Sequence, residues 1–462
     1  MSMQARRNPQ PDILFNQVKR MALLLSAASL SFAATAADQT VPGAGNGAAT
    51  ALASRSPLVR SAHRLLIQNA KGIRDQPLRN QTVDALENLD TCIAHRALVT
   101  PIVKAAILRQ LTAENLISAK DDATFPGGLT AGVFPPVVRD GQVCPTLPQP
   151  FFAAPGSSFG GHHSQPGGLA VHEALNDLSS LSLRDNYQAV YGTVGADGLP
   201  VVRHLVLSER HERETRNDDR GRNDEVADGG LRIDRDLMLT APLWHDWAKT
   251  MVFQWNADGS EFLELNFGGD GATDNYGAPG DSRTGAHHII GLAETMKRGL
   301  SAEFIITQAS AHSAPSLGNE YKVVNWLRAA AILAQVDPVA KGYLAFDKQR
   351  KLRLPALRRL GEGDLNGATP TQTNLLAEYV LHNLSDADFT FTGPALKEVE
   401  LLLKKLAPSY GYDATDTATF NNRFRNPALT FLSAERLYII FTDKGIVGVR
   451  SELDKLRRLN IF

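Results

Sequence analysis

The chain has 462 residues, 43% hydrophobic and 21% charged, with 48 Lys+Arg against 49 Asp+Glu and a formal net charge of -1. This is ordinary globular composition, long enough for two or three domains or one large elaborated helical domain. Without a concentrated basic excess, it gives no sign of a nucleic-acid partner; the basic run at 347–359 reads as a solvated face.

Lys19 and Arg20 precede the apolar run MALLLSAASLSFAATA, which ends in Ala34-Thr35-Ala36. A basic n-region, a short h-region and an Ala-x-Ala site predict a secretory signal peptide over residues 1–36, and hence a periplasmic or secreted protein. Residues 37–55 are small and polar and read as a flexible tether. Cys92 and Cys144 are the two cysteines. In an exported chain they are candidates for a disulfide, with two unrelated buried thiols as the alternative. No later stretch is long and apolar enough to span a membrane.

Residues 56–160 combine a helical region with a loop. Apolar residues recur at helical spacing in SPLVRSAHRLLIQNA and TPIVKAAILRQLTAENLI. Residues 121–168 are rich in Pro, Gly and Phe, as loops are. Residues 161–340 predict a helical metal-binding domain. Its first helix starts near Gly168, and a charged tract at 208–230 has the composition of a surface insertion. A helix through DRDLMLTAPLWHDWAKTMVFQW follows. A Gly/Asp-rich loop at 266–285 then leads to helices in HHIIGLAETMKRG, SAEFIITQASAHS and NEYKVVNWLRAAAILAQVD, the last running from an Asn319 cap to a stop at Pro338. Residues 341–462 predict a C-terminal lobe with amphipathic helices in TPTQTNLLAEYVLHNL and GPALKEVELLLKKLAP, and with ERLYIIFTDKGIVGV able to hold a strand or two. The fold class expected is mainly α: a bundle with additional N-terminal helices and a helical or small α+β C-terminal lobe.

Potential metal ligands fall on this core in the order His172, His245-Asp246, His287 or His288, His312, Asp337. Imidazole nitrogens suit manganese, iron, cobalt or zinc, and carboxylates add charge and can bridge two ions. His245 and Asp246 are about 100° apart on a helix, so both can face an ion lying between their directions. Lys249 follows one turn on and can neutralise a phosphate oxygen as charge builds. His162 and His163, on the preceding loop, are candidates for contacting phosphate or protonating a leaving group. Asp337 precedes Pro338 at a helix C-terminus, where a carboxylate opposes the helix dipole unless a cation compensates it. The chain contains no phosphate loop followed by Lys-Ser/Thr.

HHSQPGGLAVHEAL, HDWAK, AHHIIGLAETM and the AHS and VDP segments resemble the HD-domain superfamily of metal-dependent phosphohydrolases over roughly residues 160–340. His287, with Gly291 four residues on and Glu294 seven on, is similar to the family's third ligand helix and is preferred over His288. The resemblance implies a two-metal site, with a metal-bound hydroxide cleaving a small-molecule phosphate mono- or diester. Two alternative expectations stand beside it: an HD-fold di-iron oxygenase, and a non-catalytic envelope protein that retains the metal site.

Overall fold

A computed structural model of the protein describes residues 42–203, 227–260, 264–268, 282–311, 320–357 and 376–462. Residues 1–36, where a signal peptide is expected, and His312 and Asn319 lie outside them.

The fold is mainly α. Four N-terminal helices run Asn46–Arg55 (α1), Pro57–Lys71 (α2), Gln76–Glu87 (α3) and Pro101–Ala113 (α4). The last three start in the same way. Ser56, Asp75 and Thr100 each accept a backbone N–H with the side chain, and a proline occupies the first or second helical position. An oxygen there satisfies an orphan donor, and proline loses no hydrogen bond at that end. After α3 the chain is tied to the Pro-rich loop. Cys92 and Cys144 form a disulfide, and the Ile93 N–H donates to the Pro145 carbonyl at 2.8 Å.

The central helices are Gly168–Tyr191 (α5), Arg235–His245 (α6), Ala286–Lys297 (α7), Ala302–Gln308 (α8) and Glu320–Ala334 (α9). Every residue of α6 from Leu237 to His245 is buried, which marks it as the central helix of the bundle. It packs on α5, α7 and α8. Short antiparallel pairs pin the connections: Thr193–Val194 (β1) with Ala227–Asp228 (β2), Asn266–Phe267 (β3) with Thr284–Gly285 (β4), and Ala345–Phe346 (β5) with Leu352–Arg353 (β6). One apolar core runs from Ala53 to Tyr379, so the N-terminal helices and the central helices share it.

Helix Ala377–Ser385 (α10) packs on α5 and α6. Beyond it come Phe389–Leu406 (α11), Asn426–Leu432 (α12) and Ala434–Arg458 (α13), which build a second core around Leu396, Phe424 and Leu437. The lobe is therefore helical where ERLYIIFTDKGIVGV allowed strands. Among the buried positions of α13, Val449, Leu453 and Leu456 are four and three residues apart, which is helical spacing. Gly445, with φ 62 and ψ -163, breaks the helix within this run.

Candidate metal centre

Four separate stretches of chain bring the site together. α5 supplies His172 and the adjacent Glu173, one turn in from its N-terminus. The loop before it must pass very close: a Cβ on Gly168 would lie 1.7 Å from the His163 carbonyl oxygen, and Gly167 has φ +82. Both positions therefore require glycine. α6 ends at the site with His245 as its last residue and Asp246 as its C-cap. α7 places His287 in its first turn, and the end of α10 contributes His382 and Asp386, followed by Asp388.

Three imidazoles converge on Asp246. His172 Nε2 is 3.3 Å from its Oδ2, and His245 Nε2 and His287 Nε2 are 3.3 and 3.4 Å from its Oδ1. Asp386 Oδ1 joins at 3.4 Å from His172 Nε2 and 3.7 Å from His245 Nε2. Glu173 Oε1 stands 3.8 and 4.0 Å from the same two nitrogens. These separations are longer than ordinary N–H···O hydrogen bonds. The separations of 3.3 and 3.4 Å match ligands sharing one ion, since groups about 2.1 Å from a common ion lie roughly 3.0–3.5 Å from each other; those of Glu173, and of Asp386 from His245, are longer. One donor atom from each of His172, Glu173, His245 and Asp246 lies within 4.8 Å of the others. Both Glu173 oxygens are buried without a hydrogen-bond partner, which is costly for a carboxylate unless a cation compensates it. The donor set therefore fits a divalent ion.

Each histidine is backed on its other nitrogen. His172 Nδ1 faces Asp388 Oδ2 at 3.4 Å. His287 Nδ1 lies 2.6 Å from Glu264 Oε2, which also accepts the His287 backbone N–H at 3.1 Å. His245 Nδ1 lies 3.3 Å from His382 Nε2. Such backing turns Nε2 inward and fixes the ring, as is usual for metal-binding histidines.

The charges follow from burial and proximity. Burial opposes the charge on Asp246, but His245 and Lys249 beside it hold the carboxyl well below its usual range. Burial, helped by the carboxylates of Asp246 and Asp386, pushes Glu173 well above its own against the pull of His172 and Lys249. His172 loses charge stability to burial and more than regains it from Asp388, Asp246 and Asp386, ending well above an ordinary imidazole. Lys249 is buried, with its ammonium between Asp246 and the Gly156 carbonyl. It points into the site as expected, and in this arrangement its charge is directed at Asp246.

His162 stands at the mouth, half-buried, with its ring centroid 5.2 Å from that of His172 and 6.4 Å from that of Phe389. With His172 and Asp388 it forms a second group of metal-competent donors. Burial and the positive neighbours His172 and Lys249 hold it well below an ordinary imidazole. His163 does not share the mouth. It is buried at φ 55, with Nε2 on Asp388 at 2.9 Å and Nδ1 3.8 Å from Glu435. Facing carboxylates on both sides, it holds Asp388 in place and is not set to protonate a leaving group. The loop that carries both histidines is clasped by the C-terminal lobe. Arg425 donates to the Ser164 carbonyl and hydroxyl, each at 3.1 Å, and stacks over Phe159 at 4.2 Å.

Two further candidates fall elsewhere. His288 turns away from its neighbour, edge-on to Trp326 with centroids 4.9 Å apart, because consecutive helical residues diverge by about 100°. Asp337 is exposed, and its Oδ1 accepts the backbone N–H groups of Val339 and Ala340. It caps the turn after α9, which also resolves its unfavourable place at a helix end. Asp386 is the later carboxylate that meets the histidines. Glu173, Glu264, His382, Asp386 and Asp388 were missed by the sequence reading. The segment His382-Asn-Leu-Ser-Asp386-Ala-Asp388 held a usable signal: histidine and aspartate four apart share a helix face.

No family model matches the chain, and no curated protein or solved structure matches it.

Proposed function

We propose that the protein is a divalent-metal-dependent hydrolase, and specifically a phosphohydrolase that cleaves a small-molecule phosphate mono- or diester at the cluster around Asp246. The observation that carries this reading is the convergence of three Nε2 atoms and the carboxylates of Asp246 and Asp386 beside the unpartnered Glu173. A mixed imidazole and carboxylate set suits manganese, iron, cobalt or zinc. His172, Glu173, His245 and Asp246 would hold an ion, with Asp386 and His287 beside them as further donors. When bound, such ions supply Lewis acidity toward a phosphoryl oxygen and a lowered pKa for water.

The chain's own residues supply the rest. The buried walls keep bulk water from Asp246 and strengthen each charge interaction inside. With an ion on Asp246, the Lys249 ammonium beside that carboxylate would be available to offset charge on a phosphate oxygen. His162 stays neutral near pH 7, so its ring can hydrogen-bond a phosphate oxygen at the mouth or accept a proton at a ring nitrogen. The leader pattern at residues 1–36 together with the disulfide supports a periplasmic or secreted location, where disulfides persist.

The test pairs elemental analysis of the purified chain and of Asp246→Ala with hydrolysis of p-nitrophenyl phosphate and bis-p-nitrophenyl phosphate under manganese, cobalt, zinc and iron. Metal and hydrolysis lost together in the variant support the proposal. Bound iron with oxygen uptake and no hydrolysis would replace it with the oxygenase reading. Bound metal without any turnover would leave a structural site. A chain that takes up no metal overturns it entirely.

A further inference from the structure

We infer that His382 is a positioning residue that sets the tautomer of His245 and thereby aims its Nε2 lone pair at the ion. The inference rests on the metal-site reading above. His382 lies on α10, one helical turn before Asp386, and is fully buried. Its Nδ1 lies 2.8 Å from the Thr307 carbonyl oxygen and 2.6 Å from Ser310 Oγ. Its Nε2 lies 3.3 Å from His245 Nδ1.

With both rings neutral, these contacts define one proton arrangement. A backbone carbonyl can only accept, so a contact of 2.8 Å requires a proton on His382 Nδ1. Ser310 agrees, because its hydroxyl donates to the same Thr307 carbonyl at 2.7 Å and leaves Oγ lone pairs toward the ring. In the neutral ring His382 Nε2 is then an acceptor. His245 Nδ1 must carry a proton to meet it, and the His245 Nε2 lone pair faces Asp246 and Asp386. The Thr307 carbonyl at the end of α8 thus fixes the metal-facing atom of a ligand two hydrogen bonds away. The backing differs from that of His172 and His287, each of which leans on a carboxylate. A neutral imidazole orients His245 without adding a negative charge to a pocket that already holds Asp246, Asp386 and Glu173. It also couples two donors mechanically, since His382 and Asp386 leave the same turn of α10.

The test has two arms on the full chain. In the first, cobalt(II) binding is measured by calorimetry and visible absorption for the parent chain, His382→Leu and His382→Gln, with thermal midpoints as the folding control. His382→Leu should weaken binding 10–100-fold and alter the cobalt spectrum. His382→Gln, whose amide can both donate to Thr307 and accept from His245, should recover most of the affinity. In the second arm, 15N-histidine labelling of the unmutated chain, with and without zinc, should show protons on Nδ1 of both rings and none on His382 Nε2. Equal cobalt affinity in a folded His382→Leu, or a protonated His382 Nε2, overturns the inference. If the parent chain binds no cobalt or zinc, the metal reading fails instead, and the labelling arm alone decides the tautomers.

Discussion

His172 Nε2 lies 3.4 Å from Asp386 Oδ1, joining the first ligand-bearing helix to the end of α10, which packs against it. Asp386 therefore stands beside the histidines, where sequence order placed Asp337. Asp386→Asn should lower metal content and affinity at least tenfold, in the range seen when an ion's direct or supporting partners are lost. Asp337→Asn should leave both unchanged, since Asp337 caps an exposed turn. Elemental analysis of the two variants side by side decides it, and metal loss in Asp337→Asn alone would return the ligand to that position.

Glu173 provides a test that separates affinity from stability. Its carboxyl is buried, without a hydrogen-bond partner, and burial raises its pKa well above the usual range. A carboxyl whose folded pKa is raised contributes stability at pH values below its unfolded pKa, and that contribution is lost as pH rises toward the folded value. Without metal at pH 8, Glu173→Gln should match or exceed the parent in thermal midpoint. Its manganese or cobalt affinity should fall at least tenfold. Undiminished affinity would remove Glu173 from the ion's surroundings and leave its burial without a purpose.

The helical class and the approach of His172, His245, Asp246 and His287 were legible because they rest on local pattern. Gly168 opens α5 as its glycines and the apolar spacing suggested, and His245-Asp246 ends a helix that is apolar all round. The choice of His287 over its neighbour also holds, since His288 packs on Trp326. The carboxylates were harder. Asp337 stood at a helix end soon after the last histidine considered, and chain order favoured it. Asp386 belongs to a helix read merely as amphipathic, and nothing local shows that α10 lies against α5 and α6. Glu264 and Asp388 support histidines far away in sequence. Such supporting contacts are purely tertiary, so no spacing rule finds them. The partners of His163, Asp388 and Glu435, were hidden for a similar reason: they come from the C-terminal lobe.

The disulfide closes a loop between residues 52 apart in sequence. On chain-entropy grounds a loop of that size stabilises the folded state by about 4 kcal/mol. The link joins the end of α3 to the loop that precedes the site histidines. Cys92→Ser with Cys144→Ser should lower the thermal midpoint by several degrees, and reductant should do the same to the parent but not to the double variant. A reductant effect that persists in the double variant would show that the disulfide is not its cause.

Asp177, one turn beyond Glu173 on α5, supplies a pH dependence that needs no metal. It is buried, receives Asn69 Nδ2 on its Oδ2 at 2.5 Å, and is pushed up from 3.8 to about 7, chiefly by burial, with Asn69 and Arg235 opposing. The sign is that of a raised carboxyl. Its contribution is fully present below about pH 4 and is lost as pH rises to about 7. A shift of about three pH units corresponds to at most about 4 kcal/mol between those limits. Asp177→Asn keeps an acceptor for Asn69 and cannot ionise, so it should equal the parent near pH 4 and gain on it steadily up to pH 7. Above that the difference should level off. Denaturant midpoints of the two proteins at intervals from pH 4 to 9 measure this directly. Parallel curves across the whole range would mean that Asp177 stays ionised in the folded protein, held by Asn69 and Arg235 more strongly than burial opposes it.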